Sequence, residues 1–289
     1  MSRTPSETQS ETPFENPSET LAGAPSGTPF AALHRRPGEP LLLPNCWDHA
    51  SAALLAEQGF PAIGTTSLGV AAAAGLPDGT AATREETLRL ARRLGRAGHY
   101  LLSVDVENGF SDDPSEVAAL AVELAGAGVV GINLEDGRPD GALTPVEVHA
   151  AKIAAVKAAV PDLFVNARTD THWLGLSGAA EETDRRLAVY QQAGADGLFV
   201  PGLTDPAAIA RLCGSLVRPL NILWTPAGPG LPELAALGVA RVSLGSYLYR
   251  TALGAAVSAA LAIRTGTPGA VSVDTPAYAA VQALYADGR

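Results

Sequence analysis

The chain has 289 residues, 47% of them hydrophobic, enough to bury the core of one large α/β domain or two smaller ones. Twenty basic residues against thirty acidic ones give a net charge of -10, which disfavours nucleic acid and anionic membrane as partners and fits a soluble protein. Cys46 and Cys213 are too few for a disulfide framework and form no CxxC pair, no run of about 18 apolar residues spans a bilayer, and the N-terminus lacks the regions of a signal peptide, so a reducing cytoplasm is the expected setting.

From Met1 to about Thr28 the chain is rich in Ser, Thr, Pro and Glu, and Pro-Ser-Glu-Thr occurs twice. Such a segment buries too little apolar surface to offset its ordering, so a disordered tail is expected, with the boundary drawn at residue 36. Apolar strand-like runs then alternate with longer helical stretches. The strand candidates are Leu41 to Pro44, Ala62 to Thr65, Leu101 to Asp105, Val129 to Leu134, Leu163 to Asn166, Gly197 to Val200, Leu220 to Leu223 and Arg241 to Leu244. Helices are predicted between them, among others over Arg84 to Ala97, Pro114 to Ala127, Pro145 to Ala159 and Ala179 to Ala193.

Eight βα units within residues 37–265 have the proportions of a (β/α)8 TIM barrel. The first strand ends in Pro44-Asn45-Cys46-Trp47-Asp48 with no Gly-rich phosphate turn, which argues against a doubly wound open sheet. Residues 266–289 read as a C-terminal helical extension, with Pro276 to Tyr285 as its last helix.

In a barrel the chemistry sits where strands end and βα loops begin. Asp78, Asp105, Glu107 and Glu135 fall in such places, and carboxylates gathered at one end of a sheet repel unless a cation sits among them. Hard oxygen ligands with room for water suit Mg2+, with Mn2+ as a substitute, better than zinc. Asp105 and Glu107 are two apart, so both can face the mouth. Arg168, at the end of the fifth predicted strand, can grip a substrate carboxylate bidentately or pair with Glu135 or Asp170. Thr66, Ser67 and Leu68 offer hydroxyls and consecutive backbone N–H groups to an anionic oxygen. Arg138 is a candidate to close over an anion, His172 a candidate proton donor, and Cys46 reads as a buried structural thiol.

The stretches Pro44 to Ala52, Gly59 to Ala71, Asp105-Val106-Glu107-Asn108-Gly109, Gly131 to Asp136 and Asn166-Ala167-Arg168-Thr169-Asp170 resemble the isocitrate lyase and phosphoenolpyruvate mutase superfamily over roughly residues 38 to 265. The resemblance implies a Mg2+-dependent barrel that makes or breaks a carbon-carbon or carbon-phosphorus bond beside a 2-oxo acid, through a metal-stabilised enolate. It makes Asp105 the direct metal ligand, with Asp78, Glu107 and Glu135 holding metal waters. It places Thr66, Ser67 and Leu68 around the carboxylate and enolate oxygens, Arg168 on substrate, and Trp47 and Asp48 at the first strand's mouth. It also implies a homo-oligomer, dimer or tetramer, with C-terminal helices that can be swapped between subunits.

Lyases of that superfamily carry Lys-Lys-Cys-Gly-His on a lid after the fourth strand, whereas residues 135 to 145 here hold neither Cys nor His. The phosphonate-forming mutases carry a longer lid and a His where this chain has Pro201. Decarboxylation or carbon-carbon cleavage of a small 2-oxo or dicarboxylic acid is therefore the expected reaction, with Glu135, Thr66, Ser67 and Arg168 as its catalytic residues. Phosphonopyruvate hydrolase or phosphoenolpyruvate phosphonomutase activity is the alternative within enzymes. A non-catalytic binder of 2-oxo acids is the alternative outside them.

Overall fold

The computed structural model describes residues 27–95, 100–267 and 274–284. Nine short parallel strands make one sheet: β1 Leu41–Leu43, β2 Asn45–Cys46, β3 Ala62–Thr65, β4 Leu101–Asp105, β5 Val129–Glu135, β6 Phe164–Arg168, β7 Gly197–Phe199, β8 Leu220–Leu223 and β9 Arg241–Ser243. Only Pro44 separates β1 from β2, and these two halves of one strand pair with β9 and β3 respectively. The sheet thereby comes round on itself as a TIM barrel built from the predicted strands. Pro44 has no N–H to give to a ladder, yet its carbonyl still accepts from Gly64 N–H at 2.9 Å. Asn45 staples the interruption: its amide donates to Thr65 O at 2.7 Å, while its side-chain oxygen accepts from Leu244 and Gly245 N–H at 3.0 and 2.8 Å.

The helices are α1 Pro29–Ala32, α2 His49–Glu57, α3 Ser67–Ala74, α4 Arg84–Leu94, α5 Pro114–Gly126, α6 Val146–Ala159, α7 Ala179–Gln192, α8 Pro206–Ser215, α9 Leu231–Ala236, α10 Tyr247–Arg264 and α11 Tyr278–Ala283. Local chemistry sets their starts. Asp113 and Asp205 cap α5 and α8, each followed by a Pro whose missing N–H is one a helix leaves unused. The strands they flank are buried on both faces, and this is why they read as continuous apolar runs.

The tail boundary at residue 36 is corrected. Thr28 caps α1, and Phe30 and Ala31 are buried at the N-terminal end of the barrel with Leu33, Leu41, Leu43, Ala62 and Phe164. Phe30 meets Phe164 edge-on at 5.3 Å, and His34 stacks on Phe164 at 4.3 Å. Gly131 makes the room, since a Cβ there would lie 2.6 Å from the Phe30 ring. The expected tail over residues 1–26 lies outside the described residues. Phe30→Ala is expected to lower unfolding free energy by about 3–5 kcal/mol, read by urea denaturation, because it empties a closed apolar plug.

Above this plug lies a polar layer. Arg241, 1% exposed, donates to Asn133 Oδ1 at 3.1 Å and Ser243 Oγ at 3.1 Å, while Asn166 donates to Asn133 and Asn221 exchanges bonds with Ser243. Burial pulls the Arg241 pKa down to about 9, against the attraction of Asp105. At the other end of the chain, α10 keeps only Tyr249 and Ala262 buried and exposes Leu253, Val257, Leu261 and Ile263. His49 Nε2 meets the carbonyl of Leu284, just beyond α11, at 3.1 Å.

Candidate active site

Register assembles the site. Asp105 on β4 stands beside Asn133 on β5, and two residues further along Glu135 stands beside Arg168 on β6. Glu135 and Arg168 therefore meet at the C-terminal rim, Nη1 to Oε2 at 2.6 Å. The same guanidinium grips Asp170 with Nε at 2.6 Å and Nη2 at 3.1 Å, and lies 5.7 Å above the Phe199 ring. Three of its five N–H donors are thus committed to two carboxylates. Burial works against the Arg168 charge, but Glu135, Asp170 and Asp105 outweigh it and hold its pKa above the ordinary value.

Gly137 lets Asp170 approach, because any Cβ there would be driven into the Asp170 carboxylate. Behind Arg168, buried Asp136 accepts from Asp170 N–H at 2.8 Å, Arg186 Nη1 at 2.9 Å and the Tyr190 hydroxyl at 2.7 Å. The sequence reading missed this support. Its only local sign is an Arg and a Tyr four residues apart on the buried stripe of α7, with Thr183 and Leu187.

Asp105 faces the mouth. Its amide donates to Thr65 Oγ1 at 2.9 Å, and its carboxylate accepts from Glu107 N–H at 3.3 Å and from Ser67 N–H at 3.4 Å. Ser67 is the first residue of α3, so that helix aims its start at Asp105. Thr66 is buried immediately before it, and Leu68 is half-buried on its first turn. Burial raises the Asp105 pKa, opposed by Arg168 and reinforced by Asp78.

Glu107 is buried and left-handed at φ 49°, and half-buried Phe110 is left-handed at φ 60°. Each such residue costs about 1–2 kcal/mol unless its surroundings impose it. The Glu107 carboxylate accepts from Ala81 N–H at 3.0 Å and from the Thr83 hydroxyl, which fixes the loop leading into α4. Burial raises the Glu107 pKa, partly offset by Thr83, and burial raises that of Glu135 well above the usual range despite Arg168.

Asp78 departs from the sequence reading in position. Helix α3 intervenes between β3 and Asp78, which sits exposed in the following turn and acts on Asp105 and Glu107 through charge alone. Asp48 is spent as the α2 cap, accepting from Ser51 N–H at 2.7 Å, and Trp47 packs edge-on against Tyr249 at 5.3 Å. Both line clefts between helices. Residues 137 to 143 close as a hairpin with Arg138 paired to Asp112 at 2.8 Å. His172 is half-buried, which lowers its pKa, and burial pushes the Cys46 thiol far up.

Among the described residues no three His, Cys, Asp or Glu side chains converge closely enough to bind an ion together. Of the four carboxylates expected around an ion, Glu107 bonds to Thr83 and Glu135 pairs with Arg168. The donor chemistry still fits a hard cation. Three carboxyls are held at raised pKa at one rim, and Asp105 carries hydrogen bonds only from backbone N–H groups. A Mg2+ ion that keeps its waters asks for one direct carboxylate and others reached through water, and Asp105, Glu107 and Glu135 are the hard oxygen donors at this rim.

The family model for phosphoenolpyruvate phosphomutase matches residues 30–264. An uncharacterised protein of Mycobacterium tuberculosis (strain H37Rv) is 43% identical over 258 residues, 89% of this chain and 96% of that protein. Oxaloacetate decarboxylase 1 of Pseudomonas putida (strain W619) is 34% identical over 223 residues, 72% of this chain and 74% of its own. Among solved structures, a phosphonopyruvate hydrolase complexed with oxalate and Mg2+ superposes with a TM-score of 0.77 at 25% identity, covering 89% of this chain and 94% of that one.

Proposed function

Because this chain belongs to the phosphoenolpyruvate phosphomutase family, within the isocitrate lyase superfamily, we propose that it is a Mg2+-dependent carbon-carbon lyase that decarboxylates or cleaves a small 2-oxo or dicarboxylic acid. Oxaloacetate is the substrate to try first. The observation that carries this reading is the rim itself: Asp105 and Glu135 held desolvated beside Arg168, Glu107 desolvated next to Asp105, and the start of α3 facing Asp105. Asp105 would hold Mg2+ directly, and Asp78, Glu107 and Glu135 would hold its waters. When bound, the ion supplies Lewis-acid stabilisation of charge developing on the oxygen beside the breaking bond.

The chain's own groups do the rest. Thr66, Ser67 and Leu68 bind the substrate's 2-oxo carboxylate end through hydroxyl and backbone donors at the α3 terminus. Arg168 orients the far carboxylate with the N–H groups that Glu135 and Asp170 leave over. Breaking the bond to the departing carboxylate releases CO2 and leaves the electron pair on the enolate, which water then protonates. No lid acid is needed for that, in keeping with a hairpin whose Arg138 is occupied by Asp112.

The kinship with oxaloacetate decarboxylase favours this reaction, and the likeness to phosphonopyruvate hydrolase keeps phosphorus-carbon cleavage as the second reading. A homo-oligomer goes with it: α10 leaves an apolar face uncovered, and clefts of about 300 and 410 Å³ are lined in part by residues of its first turns. No helix among the described residues is long and apolar enough to cross a membrane. Mixed with oxaloacetate and Mg2+, the purified chain is expected to form pyruvate above the metal-only background, to stop with EDTA and to resume with Mn2+. Phosphate release from phosphonopyruvate without pyruvate from oxaloacetate would move the assignment to the second reading. Tight oxalate binding with no turnover of any 2-oxo acid would leave a binder.

A further inference from the structure

We infer that Lys152, on α6 and outside the rim, is a positioning residue that sets the β4–α5 loop and through it the carboxylate of Glu107; the consequence for metal binding rests on the reading above. Its side chain is 0% exposed, and Nζ donates to the Asn108 carbonyl at 3.1 Å and to Asp112 Oδ1 at 3.0 Å. Those two contacts bracket a turn in which Gly109 and Phe110 are left-handed at φ 87° and 60°, Phe110 at a steric cost, with Asn108 between them and left-handed Glu107. Inside the bracket the other bonds are short-range ones: Gly109 N–H to Val106 O at 2.8 Å, Phe110 N–H to Asn108 Oδ1 at 3.0 Å, and the Ser111 hydroxyl donating to Glu116 at 2.5 Å and accepting from Asp113 N–H at 3.0 Å. Lys152 is thus the tie from α6 that holds this turn against relaxation. The second Asp112 oxygen receives Arg138 at 2.8 Å, so the same carboxylate joins the turn to the 137–143 hairpin.

The charge is placed for position and not for stability. The ammonium is desolvated while its partner Asp112 is half-exposed, so removing Lys152 leaves that carboxylate to water and does not strand a buried charge. Lys152→Met keeps the packing volume and removes the donors, which separates the two roles. In the metal-free full chain, hydrogen exchange at Gly109 and Phe110 is expected to quicken at least about tenfold in Lys152→Met, with the other barrel amides unchanged and the thermal midpoint equal or higher. Mn2+ added alone and followed by electron paramagnetic resonance is expected to bind about tenfold more weakly, within the range that groups supporting metal ligands show. Asp112→Ala, half-exposed and able to fold, is expected to give a smaller loss of the same kind because the Asn108 contact survives.

Unchanged exchange over residues 106–112 in Lys152→Met would overturn the inference. Faster exchange with wild-type Mn2+ affinity would also overturn it, reducing Lys152 to a local packing role. A wild-type chain that takes up no Mn2+ would instead sink the metal reading, and the exchange data would still decide whether Lys152 sets the loop.

Discussion

Asp105→Asn is expected to lower kcat/KM for oxaloacetate by at least about a thousandfold, roughly 4 kcal/mol of transition-state stabilisation, while making the metal-free protein more stable at neutral pH. The loss follows from Asp105 being the carboxylate at the mouth whose hydrogen bonds all come from backbone N–H groups, and so the one able to bind an ion directly. The gain follows from its raised pKa, whose first cause is burial. A carboxyl whose folded pKa lies above its unfolded value stabilises the fold below the ordinary carboxylate range, and that contribution is lost as pH rises through the folded value. The amide removes the titration, so the wild-type melting temperature in EDTA should decline between about pH 4 and neutrality more than that of Asp105→Asn. Steady-state kinetics and melting curves across that interval check both halves. A variant that retains a tenth of wild-type turnover would remove Asp105 from the centre of the site.

Arg168→Met should cost about 3–5 kcal/mol of stability as well as activity, the usual result of deleting one side of a buried ionic cluster. Its guanidinium compensates Glu135 and Asp170, both less than a tenth exposed, and without it two carboxylates share a desolvated rim. Adding Glu135→Gln to Arg168→Met should recover part of the stability and none of the turnover, because it removes a stranded charge without restoring the donor fork. Arg168→Lys should keep most of the stability yet lose at least about a hundredfold in kcat/KM, since a single ammonium cannot reach Asp170 through two N–H groups and Glu135 through a third. Urea unfolding of the variants separates these effects. Wild-type stability in Arg168→Met would show the cluster to be solvated.

The strands were legible because parallel strands buried on both faces must be apolar throughout, and the interruptions of that pattern name the barrel's inner polar layer: Asn133, Asn166, Asn221 and Arg241. An ion pair of Arg168 with Glu135 or Asp170 was legible beside substrate binding, and the structure pairs it with both carboxylates. What escaped depends on distant pairings. Asp136 meets Arg186 and Tyr190 across more than 40 residues, and Lys152 meets Asp112 across 40, so nothing local marks either. Asp78 was misplaced because an Ala-rich stretch after β3 reads as loop or helix alike, and α3 fills it. Phe30 was lost in a tail defined by composition, since a four-residue helix carries almost no periodicity. Asp48 was read only at the first strand's mouth, and its Asp-x-x-Ser spacing makes it the start of α2.

The stopper formed by Phe30, Phe164 and His34 has a consequence for traffic. With the floor closed by these rings and the polar layer packed above them, the rim is the only end at which the site opens among the described residues. On the proposed reaction, carbon dioxide and the remaining acid would share that one exit with the next arrival.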